Sequence, residues 1–346
     1  MKSRSKELLG LLNNINEKQD NKYGERIILI DALNLFFRNF ATLNMVNPTN
    51  GVHIGGLGGF LRSLGTLIKQ TQPTQVYIIF DGIGSSNNRK NLIPEYKSNR
   101  NIQRLTNWEI FENHDDENDA KAGQIIRIIQ YLKTLPVKIV TLDKVEADDI
   151  IAYYSKSLIE QPNDRIFIIS SDKDYIQLIN ENVVIYSPIE KEYYTIPTVI
   201  NKFQIPPHNF IIYKTLLGDN SDSIKGVKGL GSKTILKRFP ELAGGLVTME
   251  RLHEISASKM EEHIVYARIV QGIRDLKTSY KVMNLSNPMI DDVGKTYLDE
   301  IAKPSQLNLL PEIFIKMCNE DNLGKLINNA EYWLRENFQD LIRCNK

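Results

Sequence analysis

Apolar residues in this chain come in short blocks, and most blocks end in an acid. Ile27–Ile30 runs into Asp31, Val76–Phe80 into Asp81, Val137–Leu142 into Asp143, and Ile166–Ser171 into Asp172; Val183–Ser187 is a fifth block. Short apolar runs bounded by polar residues read as buried strands. Helical patterns separate them. A turn at Asn50 leads through a glycine-rich stretch into an amphipathic helix that reaches Lys69. Residues 123–135 place Ile125, Ile126, Ile128, Ile129 and Leu132 at helical spacing, and a further helix starts at Glu146. Alternating strands and helices predict an α/β fold with a mainly parallel central sheet flanked by helices. Pro206 and Pro207 mark a change of character. Beyond them the pattern is helical, from Asn209–Leu217 through a glycine-punctuated stretch to Phe239 and on to the end, with no strand expected after Ser187. The expected organisation is an N-terminal extension over 1–24, an α/β domain over 25–204, and a helical region over 205–346.

Composition changes this picture little. The chain has 346 residues, 42% hydrophobic and 25% charged, which suits a large folded domain or two modest ones and excludes wholesale disorder. No apolar run approaches the ~18 residues of a membrane span. The N-terminal apolar patch is broken by Gly10, so a signal peptide is not expected. Cys318 and Cys344 form no CxxC pair, and a reducing cytoplasm is the expected setting.

Charge matters more through its placement than its sum. With 43 basic and 42 acidic side chains the formal net charge is +1, which by itself argues little for a nucleic-acid partner. The acids, however, gather at strand ends. Strand C-termini of a parallel sheet share one edge, where open α/β folds bind ligands. One Asp there is ordinarily a turn former or helix cap. Four such positions, with Glu146, Asp148 and Asp149 at a helix start and Asp174 just after Asp172, exceed that need. A helix dipole rewards each acid by only about 0.3–1 kcal/mol. Clustered carboxylates repel one another and must take up protons or cations. An all-oxygen set selects Mg²⁺ or Mn²⁺, and the five histidines (His53, His114, His208, His253, His263) show no zinc spacing. Two such ions can clamp a phosphodiester, activate water and stabilise the leaving oxygen. Asp219 and Asp222, three apart, would share one helical face or form an N-cap and a solvated turn.

The bases gather elsewhere. Residues 89–104 carry Arg89, Lys90, Lys97, Arg100 and Arg104 against the single acid Glu95, with Tyr96 among them. They lie in an apolar-poor insertion, which reads either as solvated surface or as a functional flap whose cations meet phosphates while an aromatic stacks on a base. The acidic stretch 115–119 reads as a solvated loop. Residues 225–238 hold Lys225, Lys228, Lys233, Lys237 and Arg238 and no acid. Ser232 between Gly231 and Lys233 breaks the P-loop pattern. A helix, a Gly229-x-Gly231 hairpin and a second helix from about Ser232 fit better, with backbone N–H groups, Lys233 and Thr234 available to a DNA phosphate.

Taken in order, ILIDALN (28–34), NGVHIGGLGGF (50–60), FDG (80–82), RKNLIPEYKSNR (89–100), VEADD (145–149), SSDKD (170–174) and GDNSDSIKGVKGLGSKT (218–234) resemble the 5′-nuclease superfamily of flap endonucleases, polymerase I 5′-nuclease domains and phage 5′–3′ exonucleases. In part, including Asn107-Trp108, the sequence looks closest to the ribonuclease H of T-even-type phages. The resemblance implies a PIN-like fold with a helical arch insertion at about 84–122 and a helix-hairpin-helix motif at 218–238. It implies one metal site near Asp31, Asp81, Glu146, Asp148 and Asp172, and another near Asp174, Asp219 and Asp222; Asp149 would ligate directly or support a ligand. Asp143 has no counterpart in the family motif. Lys97 and Arg100 would stand at the scissile phosphate as catalytic residues, within a gateway that includes Arg89 and Tyr96. Nucleic-acid contacts are expected from Arg89, Lys90, Tyr96, Arg104, Lys225, Lys228, Gly229, Gly231, Ser232, Lys233 and Thr234, and a K⁺ on the carbonyls of loop 226–231. The implied function is 5′–3′ exonuclease and flap endonuclease action on DNA and RNA–DNA duplexes, as in primer removal, by a monomeric stand-alone nuclease in the cytoplasm, a host's if phage-encoded. A sliding clamp or single-strand-binding protein is the candidate protein partner. The competing readings are a PIN-like nuclease for single-stranded RNA and a catalytically inactive binder of DNA structures.

Overall fold

The computed structural model describes residues 24–101 and 105–344. The expected extension, apart from Gly24, lies outside the described residues, as do Arg104 and the side chain of Arg100.

Six strands form the central sheet: β1 (Arg26–Asp31), β2 (Gln75–Ile79), β3 (Lys138–Val140), β4 (Arg165–Ile169), β5 (Val183–Ser187) and β6 (Glu192–Tyr194). Their order is β3-β2-β1-β4-β5-β6, parallel throughout except for β6. Strands are apolar on both faces because both faces are covered. Ile28 and Ile30 point to one core, with α1 (Ala32–Thr42), α2 (Gly55–Thr71) and α4 (His114–Leu132). Ile27 and Leu29 point to the other, with α5 (Ala147–Ser157) and α7 (Phe210–Leu217). The chain builds outward from β1 to β3, then returns to place β4 on the other side of β1. The reversal point of the sheet therefore lies between β1 and β4, beside Asp31 and Asp172.

Three local expectations change. The strand pattern does not stop at Ser187: β6 pairs antiparallel with β5, Tyr193 opposite Tyr186. Three residues reading Glu-Tyr-Tyr carry no alternation to detect. Helix α4 begins at His114, nine residues before the periodic apolar stretch, so the acidic run is its first turn and not a loop. Asn113 caps it by accepting from the Asp116 N–H, and the acids there suit the helix dipole. The glycines from Gly55 lie inside α2 instead of leading into it. At Gly65 the indole of Trp333 comes so close that a Cβ would stand 2.6 Å from its Nε1.

That contact belongs to the last helices. The insertion contributes α3 (Asn87–Leu92), and α6 (Ile196–Phe203) precedes α7. A small antiparallel pair, β7 (Gly218–Asp219) and β8 (Ile224–Lys225), precedes α8 (Ser232–Arg238). Helices α9 (Met249–Ser258), α10 (Ile264–Gln271), α11 (Ile273–Met283) and α12 (Asp292–Ala302) follow. Helices α13 (Pro311–Glu320) and α14 (Ala330–Cys344) then leave the hairpin region. Phe314, Phe338 and Leu341 join the core of Ile28 and Ile30. Among the described residues no helix is long and apolar enough to cross a membrane.

Candidate active site

Each strand-end acid does what a lone Asp would do, and then more. Asp31 closes β1 and caps α1, its Oδ1 accepting from the Asn34 N–H at 3.0 Å. Asp172 accepts from the Asp174 N–H at 2.8 Å and opens a 3₁₀ turn, Lys173–Leu178. Asp81 accepts from the Ala147 N–H at 2.7 Å, which fastens the start of α5 to the end of β2. That helix start carries Asp148, and the buried Tyr175 hydroxyl donates to Asp148 Oδ1 at 2.7 Å while lying 3.3 Å from Asp31 Oδ2. Asp31, Asp81, Asp148 and Asp172 thus meet at one edge. Their proximity shows in their acidity: burial first, then the Asp148 carboxylate, pushes Asp31 up to about 8. The same two causes push Asp172 up to about 7 against the pull of Lys214. Asp143 stands exposed in a turn.

A second group forms beside the first. One carboxylate oxygen each from Asp174, Asp219 and Asp222 lies within 4.8 Å of the others. Asp219 and Asp222 do not share a helical face; Asp219 closes β7 and Asp222 lies in the turn to β8. Asp219 Oδ1 accepts from Ser221 N–H and Oγ–H at 2.8 and 2.6 Å. Lys214 of α7, only 9% exposed, pairs with Asp174 and, at 2.7 Å, with Asp219. Burial would raise Asp219, but the Lys214 ammonium wins and holds it at about 2. Lys214 escaped the sequence reading; its only signal is a lone cation within the apolar run Phe210–Leu217. The all-oxygen donor set fits a hard divalent cation.

Glu146, Asp149, Arg89 and Tyr96 form a buried network. Arg89 is 3% exposed; it donates to both oxygens of Asp149 at 2.6 and 3.2 Å and through Nε to the Val282 carbonyl at 3.0 Å, and it forms an ion pair with Glu146 at 3.1 Å. Asp149, 1% exposed, also accepts from the Met289 N–H at 2.9 Å, so both its oxygens already have partners. Tyr96, 3% exposed, donates to Glu146 at 3.0 Å and presents no ring face for stacking. The expected phosphate contact by Arg89 and base contact by Tyr96 are corrected accordingly: Arg89 of α3 and Tyr96 in the turn beyond it face inward, onto acids some 60 and 50 positions away. Burial raises the Glu146 carboxyl, resisted by Arg89 and Lys97. Lys97 donates to Glu146 at 2.7 Å, while its own N–H donates to the Asp222 carbonyl at 3.0 Å from a left-handed backbone (φ 57°). It therefore stands between the two acidic groups.

The hairpin keeps its cations outward. Lys225, Lys228, Gly229, Gly231, Ser232 and Lys233 are exposed and Thr234 is half-buried, with Val227, Leu230 and Ile235 as apolar anchors; Lys90, on α3, is exposed as well. Gly229 has φ 87°, which a side chain would resist. Arg268 of α10, also unmarked in the sequence, donates to the Lys228 carbonyl at 2.7 Å and braces the loop.

Residues 26–204 match the family described as "5'-3' exonuclease, N-terminal resolvase-like domain". The chain belongs to the 5′–3′ exonuclease family. It is a nuclease of that type. It is 28% identical over 294 residues to a 5′–3′ exonuclease of Aquifex aeolicus, covering 83% of this chain and 96% of the relative. It is 31% identical to the 5′–3′ exonuclease of Buchnera aphidicola from Acyrthosiphon pisum, over 61% and 68% of the two chains. Against the DNA polymerase I of Rhizobium leguminosarum identity is 30%, and this chain spans 29% of that longer protein. The flap endonuclease of bacteriophage T5, solved as a pseudo-enzyme–product complex with DNA and metal ions, shares the fold at a TM-score of 0.63 and 20% identity, covering 85% and 99%.

For this 5′–3′ exonuclease family member the raised carboxyls carry a consequence for stability. Asp31 and Asp172 hold protons up to about 8 and 7 when folded, against an ordinary value of 3.8. Their folded-state pKa values are raised, so the stability they contribute is full below about pH 4 and is lost as pH rises through 7 and 8. Scanning calorimetry of metal-free protein should show a melting temperature that falls between about pH 5 and pH 8.5. Asp31→Asn/Asp172→Asn should flatten that slope, and Mg²⁺ should raise the melting temperature most at the alkaline end. A slope unchanged by the double substitution would contradict the assignment.

Proposed function

We propose that this chain hydrolyses phosphodiesters at 5′ ends and 5′ flaps of DNA and RNA–DNA duplexes with the aid of two Mg²⁺ or Mn²⁺ ions, and that RNA primers are among its substrates. The observation that carries the proposal is the β7–β8 pair. Gly218 pairs with Lys225 and Asp219 with Ile224, so one short unit holds the Asp174–Asp219–Asp222 group at one end and the basic hairpin at the other. A duplex gripped by Lys228, Ser232 and Lys233 thereby meets the acids at a set distance. Two further facts support the reading. The T5 enzyme is described with DNA and metal ions, and human GEN1, at a TM-score of 0.54, with Holliday-junction DNA.

Bound divalent ions would supply water activation and charge neutralisation at the phosphate. The chain's own groups do the rest. Asp31, Asp81, Asp148 and Asp172 would hold one ion, Asp174, Asp219 and Asp222 the other, and Glu146 would act through Lys97. Lys97, with Arg100, stabilises charge developing on the scissile phosphate. Arg89, Asp149 and Tyr96 fix Glu146 in place. A K⁺ on the carbonyls of 226–231, ribonuclease H action on hybrids, a clamp or single-strand-binding partner, a monomeric state and a cytoplasmic setting complete the reading. A panel of labelled 5′ flap, RNA–DNA hybrid and single-stranded RNA, each with and without Mg²⁺, tests it. Cleavage of the first two only with Mg²⁺ is expected. Preference for single-stranded RNA would favour the PIN-like ribonuclease, and binding without cleavage the inactive binder.

A further inference from the structure

Most acids of the candidate site have one oxygen held by a main-chain N–H: Asp31 by Asn34, Asp81 by Ala147, Asp172 by Asp174. Asp148 differs. Its Oδ1 is held by a side chain, the phenol of Tyr175, at 2.7 Å. Tyr175 is fully enclosed, with 0% exposure, in the 3₁₀ turn that follows Asp172. Its hydroxyl also stands 3.3 Å from Asp31 Oδ2, which Ser170 Oγ approaches at 3.4 Å. A phenol has one proton to donate, and the shorter distance assigns it to Asp148. The phenol thus ties the exit of β4 to the start of α5 and takes one of the two Asp148 oxygens.

That geometry bears on which ion the acids accept. Mg²⁺ demands a near-ideal octahedron at about 2.0–2.1 Å and binds few carboxylates, whereas Ca²⁺ takes more oxygens at about 2.3–2.6 Å and accepts carboxylates through both oxygens. We infer that Tyr175 is a specificity-determining positioning residue: by holding Asp148 Oδ1 and crowding Asp31 Oδ2, its hydroxyl limits both acids to one-oxygen coordination and selects a small octahedral cation over Ca²⁺. The inference rests on the metal site proposed above. A phenylalanine at 175 would fill the same space, remove the donor and free Asp148 to swing both oxygens onto a larger ion.

The test uses the full chain without nucleic acid. Calorimetric titration with MgCl₂ and with CaCl₂ is compared for wild type and Tyr175→Phe. Loss of an outer hydrogen bond to a ligand typically shifts metal affinity by about 10–100-fold, so the ratio of Ca²⁺ to Mg²⁺ affinity should rise by about tenfold or more in the variant. An unchanged ratio, with wild type binding Mg²⁺, overturns the role of Tyr175 and leaves the metal site standing. Wild type that binds no divalent ion overturns the metal reading and this inference with it. Should Tyr175→Phe fail to fold, infrared spectra of wild type decide, because the separation of the two carboxylate stretches distinguishes one-oxygen from two-oxygen coordination. One-oxygen bands with either ion support the inference; two-oxygen bands from the Ca²⁺-loaded wild type reject it.

Discussion

Asp172→Asn is expected to keep nucleic-acid binding while Mg²⁺-supported cleavage falls by about a thousandfold or more. The amide is the same size as the acid, and its oxygen can still accept from the Asp174 N–H that opens the 3₁₀ turn. What it loses is the charge at the sheet's reversal point. Stabilising a developing phosphate charge through a metal is worth several kcal/mol, and each 1.36 kcal/mol is about tenfold in rate. Folding should not suffer. Asp172 is pushed up to about 7 by burial and by Asp148, so a neutral group relieves repulsion in the metal-free protein. Single-turnover rates on a flap, beside binding in Ca²⁺ or chelator, separate the two effects. Undiminished Mg²⁺-dependent turnover would remove Asp172 from the metal site.

The other large effect is on stability. Arg89→Ala should destabilise the fold by about 3–5 kcal/mol, because it leaves the buried Asp149 carboxylate without its cation and takes one of two cations from Glu146. Asp149 loses a bidentate partner, Glu146 keeps only Lys97 and Tyr96, and the Val282 carbonyl loses its donor. Arg89→Lys should recover part of this, since an ammonium restores charge but not the fork. Denaturant midpoints check it. Were Arg89 a surface phosphate contact, the alanine variant would melt like wild type and only its DNA affinity would fall.

Arg89 also shows where reading along the chain runs out. It sits among Lys90, Lys97 and Arg100 in a stretch with one acid, and its neighbours in sequence give it the look of a solvated base. Lys90 is such a base; Arg89 is not, because Asp149 and Glu146 stand over it from another part of the chain. Lys214 is the converse. It looks like a stray cation on an apolar helix, and only the return of Asp174 and Asp219 to its side shows what it neutralises. Arg268 and Tyr175 had no signal in their own surroundings at all. In contrast, the acids at the ends of β1 and β4 were visible at once, since an apolar run followed by Asp is a purely local pattern.

What the sequence by itself determined was the succession of strands and helices, the parallel sheet, the set of acids gathered on one edge, and the basic hairpin that turns at Gly229. All of these follow from patterns within about ten residues, set by strand and helix periods and by turn chemistry. What only the tertiary structure decided was the fate of each charge. Whether a carboxylate faces an ion, a guanidinium or a phenol depends on groups that are distant in the chain, and burial then multiplies the consequence, because a charge withdrawn from water must find its partner there. The near-balance of 43 bases and 42 acids could not reveal that bases such as Lys228 and Lys233 stay exposed while Arg89 and Lys214 hold the acids together.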